Sequence, residues 1–141
     1  MKPAARPAAV VAAFSRRLRD LERGTLEQRL PRGLTTGDAR VLRAVERVGS
    51  LGVSAIAAHL GTSQPAATVA IARLVDRSLV TVTAHSGDAR RKVLVLSAKG
   101  RQIEASLGEA EAAIAEALLA ILPRSARAAA VDLLAALVPK S

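Results

Sequence analysis

The sequence predicts a mainly α-helical fold that carries one small β-hairpin. Three observations predict it. Ile56 to Val80 reads as two short helices joined at Gly61. Directly after them, Leu79 to Leu96 alternates apolar and polar residues around the turn signal Ser86-Gly87-Asp88, with Arg90, Arg91 and Lys92 just past the turn. Alanine- and leucine-rich segments of helical periodicity flank this unit on both sides. A helix pair followed by a basic hairpin is a winged helix-turn-helix, and the flanking helices make a helical dimerisation region around it.

Taken in order, residues 1–7 hold two prolines and read as a loose tail. From Ala8 to about Leu30, Val10, Phe14, Leu18 and Leu21 recur on one face of an amphipathic helix, which Pro31 to Leu34 interrupts. Thr35 and Thr36 offer hydroxyls ahead of Asp38, a good N-terminal cap with an acid in the first turn. The helix they start places Val41, Leu42, Val45 and Val48 inward and Arg40, Arg43 and Arg47 outward, and Gly49 ends it. Leu51 to Val53 reads as a short strand, and Ser54 to Leu60 as a short helix presenting Ile56 and Leu60 on one side. Gly61 makes the turn, Ser63 caps the next helix, and Pro65 is tolerated in its first turn, so that this helix runs to about Arg77.

Leu79 to Thr83 is rich in β-branched residues and Val93 to Leu96 forms the return strand. Ser97 caps the last long segment, where Ile103, Leu107, Ala110, Ile114, Ala117 and Ile121 recur in a heptad-like seam. Pro123 interrupts it, and Ala126 to Val138 forms a final helix with Val131, Leu134 and Val138 on one face. The expected division is a dimerisation region over 8–34 and 98–139 around a winged helix-turn-helix over 35–97.

Composition narrows the function. With no cysteine there is no disulfide, no thiolate nucleophile and no cysteine-based metal site, and two histidines are too few for a convincing one. There is no tyrosine and no glycine-rich phosphate loop. His85, Ser86 and Asp88 share a turn, where sequence neighbours rarely converge on one point, so no catalytic residue, metal or cofactor is expected. No apolar run reaches the length of a membrane span and no signal peptide is visible, so the expected location is cytoplasmic. The formal net charge is +9, distributed as +5 over residues 1–34, +2 over 35–84, +4 over 85–101 and −2 over 102–141. Positive charge absent from the last helices and dense around the hairpin points to a polyanion on one side of the molecule.

A helix the size of the second one fits the major groove of DNA with its N-terminal residues toward the base edges. Those residues are Ser63, Gln64, Pro65, Ala66, Thr68 and Val69. Gln64 suits a bidentate contact to adenine, or is a solvated first-turn residue. Thr68 suits a phosphate or a thymine methyl, or is packed inward. At the hairpin tip, Arg90 is placed to enter a minor groove, with Asp88 holding its guanidinium or bracing the turn, while Arg91 and Lys92 neutralise phosphates. Arg73 completes the DNA-contacting set. The alternative is a winged helix that binds another protein and no specific DNA.

These motifs together resemble the MarR-type transcriptional regulators over most of the chain. The run Leu60-Gly61-x-Ser63 is similar to the opening of that family's recognition helix, and Arg73-Leu74 followed by Leu79-Val80 to its close. Asp88-x-Arg90-Arg91 and Leu96-Ser97-x-x-Gly100 are similar to its wing and the helix beyond. The resemblance implies an obligate homodimer reading a pseudo-palindromic double-stranded DNA operator, most often as a repressor. It implies release when a small, often aromatic, acid binds between the lobes. It places the dimer contact on the first and last two helices, through Phe14, Leu18, Ile103, Leu107, Ile114, Leu118, Ile121, Val131 and Leu134. Three residues depart from the family pattern: Ser78 stands where glycine is usual, Val69 where a polar or basic residue is common, and Gly52 where a threonine often caps the helix. The cysteine with which some relatives sense oxidants is absent.

Overall fold

A computed structural model describes residues 6–139, so most of the expected N-terminal tail lies outside the described residues. The chain runs α1 (Pro7–Glu27), α2 (Thr36–Val48), a 3-10 turn (Gly49–Leu51), α3 (Val53–Leu60), α4 (Gln64–Asp76), β1 (Val80–His85), β2 (Asp88–Leu96), α5 (Ala98–Ala120) and α6 (Arg124–Leu137). The strands form one antiparallel hairpin. The fold is the expected winged helix-turn-helix flanked by long helices.

Local chemistry explains most boundaries. Thr35 and Asp38 form a reciprocal capping box at the start of α2. The Ser63 hydroxyl accepts from the Ala66 amide and starts α4, with Pro65 in the first turn. The Ser97 hydroxyl accepts from the Gly100 amide and starts α5. Gly100 also lets α5 approach the backbone just ahead of β1: a Cβ there would run into the Leu79 carbonyl oxygen. One core joins these elements, with Leu42, Ile56, Leu74, Leu79, Leu94 and Leu107 fully buried.

Three expectations change. Leu51 to Val53 is not a strand. The 3-10 turn ends at Leu51, Gly52 takes φ 91° and ψ −178°, and α3 begins at once with Val53. Only glycine is at ease at that φ, which turns the chain sharply and prevents an extended run. Arg43 is not a solvated residue: its side chain is 17% exposed and lies between Glu104 and Glu111 of α5. The return strand starts at Asp88 rather than Val93, so the hairpin is longer than its apolar residues indicate.

The heptad-like seam of α5 is also divided. Leu107 is fully buried and Ile114 nearly so, Ile103 packs against the same core, and α1 and α2 of the same chain cover this part of the helix. Leu107 therefore offers no surface for a second chain, because its own core already surrounds it. Leu118 is half-buried and Ile121 is 79% exposed. No residue of α6 is buried, and Val131 and Leu134 stand in the open, as do Phe14 and Leu18 of α1.

Candidate nucleic-acid interface

The outer face of α4 is built from its first two turns. Ser63, Gln64, Pro65, Ala66, Thr68, Val69 and Arg73 are all exposed, whereas Ala67, Ala70, Ile71 and Leu74 face the core. Small alanines at 67 and 70 let α4 seat closely on α2 and α3. The hydroxyl of Thr68 donates to the Gln64 carbonyl at 2.9 Å, the back-bond of a threonine inside a helix. Val69 is 58% exposed.

Arg73 is exposed and also pairs with a carboxylate of another helix. Its Nε and Nη2 both donate to Oδ1 of Asp38, at 3.1 and 2.8 Å, and Asp38 is completely buried. The other carboxylate oxygen accepts from the Thr35 amide at 2.9 Å and the Thr35 hydroxyl at 3.1 Å. Burial pushes the Asp38 carboxyl up. The Thr35 amide, the Arg73 hydrogen bonds and charge, and the Thr35 hydroxyl outweigh it, and the group lies below its ordinary value. The pair fastens α4 to the start of α2. The cap was legible in the sequence as Thr35-x-x-Asp38. The partner on another helix was not, since nothing local marks it.

At its far end α4 closes in a Schellman turn. The Ser78 amide donates to Val75 O at 2.8 Å and the Leu79 amide to Leu74 O at 2.9 Å. Ser78 sits at φ 58°, the left-handed conformation that glycine usually supplies. Its carbonyl accepts from the Ser97 hydroxyl at 2.7 Å, which ties the end of α4 to the base of the hairpin.

The hairpin is regular from Val80↔Leu96 to Ala84↔Lys92, and then the register breaks, with His85 paired to Asp88. Ala89, Arg90 and Arg91 are thus extra residues on β2 with no partner in β1. Arg90 does not occupy the tip, which is Ser86-Gly87; it leaves the ladder from this irregularity, a device that re-aims side chains. Asp88 Oδ1 accepts from the Arg90 amide at 2.9 Å, so Asp88 braces the backbone and, among the described residues, forms no ion pair with the guanidinium. The Gly87 amide donates to His85 Nδ1 at 3.0 Å across the turn. Arg90, Arg91 and Lys92 are exposed, and among the described residues no acid pairs with them.

Among the described residues no group of His, Cys, Asp or Glu is placed to hold a metal, and no helix is long and apolar enough to cross a membrane. A capped helix with an accessible first turn, beside a hairpin of unpaired cations, can lie against a polyanion and reach into its groove.

The fold recurs among known proteins. A family model described as the MarR family matches residues 32–91, which run from the loop before α2 into the hairpin. No curated protein matches the chain. Among solved structures, YusO from Bacillus subtilis superposes with a TM-score of 0.71 at 24% identity, over 92% of this chain and 90% of that one. A point mutant of S. aureus MepR bound to an oligodeoxyribonucleotide gives 0.67 at 18% identity, over 93% and 97%. The PcaV transcriptional regulator of Streptomyces coelicolor in complex with its natural ligand gives 0.66 at 22% identity, over 96% and 96%.

Proposed function

We propose that the chain is a transcriptional regulator of the MarR type, a homodimeric, sequence-specific DNA-binding protein acting as a ligand-responsive repressor, a reading supported by the MarR family model that matches residues 32–91. The observation that carries this reading is the unpaired cationic run Arg90-Arg91-Lys92 beside the accessible first turn of α4. The run supplies phosphate contacts and α4 supplies base contacts. A MepR mutant of the same fold was solved on an oligodeoxyribonucleotide, and PcaV with its natural ligand.

Dimerisation is read from surface that the chain leaves open. Val10, Val11, Phe14 and Leu18 on α1 and Val131, Leu133, Leu134 and Leu137 on α6 are all at least 37% exposed. Among the described residues α6 has no extensive packing against another element, and none of its residues is buried. Apolar stripes of this extent are normally covered, and a second copy brings the same two stripes to meet them. The dimerisation set then consists of Phe14, Leu18, Leu118, Ile121, Val131 and Leu134, with Ile103 and Ile114 supporting it from beneath.

The test is a gel shift of the full chain on the DNA upstream of its own gene, together with light scattering. A discrete complex that resists competitor DNA, formed by a dimer, supports the reading. Weak binding that is alike on all sequences and vanishes at moderate salt would replace it with a protein-binding winged helix.

A further inference from the structure

Resting on the DNA-binding reading, we infer that α4 recognises its site chiefly through the 5-methyl groups of pyrimidines in the major groove, with Val69 as the specificity-determining residue. The polar groups on the outer face of α4 are few, and most are partly engaged within the protein. Ser63 Oγ accepts from the Ala66 amide at 3.3 Å, which holds the hydroxyl at the cap and leaves only its proton to offer. The Thr68 hydroxyl proton is given to the Gln64 carbonyl at 2.9 Å, so the side chain adds a methyl group to the surface and no free donor. Arg73 has two of its nitrogens on Asp38. Pro65, Ala66, Val69 and Ala72 are exposed and apolar. Of the first two turns, the Gln64 amide is the one long polar side chain free to bond a base edge, beside the short Ser63 hydroxyl, whose proton is uncommitted.

Such a face has one apolar feature to meet in the major groove, the methyl at pyrimidine C5. Thymine always carries it, and 5-methylcytosine presents the same group at the same place. Val69 is the largest apolar side chain on this face and is 58% exposed, which leaves it free to cover a methyl. The flanking charge of Arg90, Arg91 and Lys92 makes DNA, rather than an apolar protein groove, the matching occupant of this strip.

The experiment selects bound duplexes from a random library with the full chain, then edits single methyl groups. Replacing a contacted thymine by deoxyuridine removes the methyl and leaves pairing intact. Each loss should weaken binding about fourfold, the worth of one buried methyl-sized group, and about fifteenfold when both half-sites are edited. On Val69→Ala, checked for a wild-type circular dichroism spectrum, the deoxyuridine penalty should shrink, whereas on Gln64→Ala it should persist. A thymine-rich consensus with this penalty assigns thymine. A consensus without thymine preference that tightens when its cytosines are 5-methylated assigns 5-methylcytosine. Selected duplexes that bind equally with and without the methyl groups would overturn the inference and leave DNA binding standing. Failure to select any duplex would overturn both.

Discussion

Arg73 Nη2 lies 2.8 Å from Oδ1 of Asp38, joining two residues of different helices into the one ion pair with a fully buried member found among the described residues. It holds the middle of α4 against the N-terminus of α2. Asp38→Ala strips the Thr35 amide and the Arg73 guanidinium of their acceptor. Hydrogen bonds to charged groups contribute about 1.5–3 kcal/mol, and Arg73 is half-exposed and can rehydrate, so a loss of about 2–3 kcal/mol is expected in urea titration. The same pair sets a pH dependence. Asp38 is held below its ordinary carboxyl value, so its contribution is complete above that value and lost as pH falls through the lowered folded one. The stability gap between the wild type and Asp38→Asn should therefore be widest near neutrality and close as pH falls below about 4.

Ser78→Gly should stabilise the protein. A residue with a Cβ in the left-handed conformation costs about 1–2 kcal/mol, which Ser78 carries at φ 58°. The greater freedom of glycine in the unfolded chain takes back about 0.4–1 kcal/mol, leaving a net gain of roughly 0.5–1 kcal/mol. The urea midpoint should rise with an unchanged slope. A fall would mean that the Schellman turn bears no strain.

Arg90→Ala should weaken DNA binding on every sequence and flatten its salt dependence. Each phosphate contact contributes about 0.9 to the slope of log K against log salt, so a dimer losing two contacts should lose up to about two. If Arg90 instead enters a narrow A·T minor groove, the loss should be larger on A·T-rich flanks. An unchanged slope with unchanged affinity would make the irregular stretch of β2 an ordinary solvated surface.

Leu134→Glu should convert the proposed dimer to monomer. The side chain is 48% exposed in the single chain, so the change leaves the protomer's own core intact and the helical circular dichroism should persist. Covering the new carboxylate with a second copy would desolvate a charge without a partner, and dimer affinity should fall at least about a hundredfold, or ~2.7 kcal/mol. Sedimentation at micromolar concentration would read the change directly. A wild-type chain that is already monomeric there would remove the premise.

The sequence by itself determined whatever depends on near neighbours. Thr35 to Asp38, Ser63 to Ala66 and Ser97 to Gly100 are caps closed within four residues, and they place the starts of α2, α4 and α5. Gly61 and Ser86-Gly87 mark their turns in the same way, and a helix pair followed by a basic hairpin leaves little choice of architecture. The tertiary structure alone decided what covers each face and what each charge meets. Periodicity identifies Leu107 and Leu134 equally as apolar helix positions, yet one is sealed by α1 and α2 and the other stands open. Arg73 and Arg43 look like surface cations until Asp38, Glu104 and Glu111 arrive from distant segments. The register break at Arg90 depends on how nine residues of β2 are matched to six of β1, which no residue encodes alone. Helix caps are local and can be read from spacing, whereas burial and ion pairing are set by chain segments tens of residues apart.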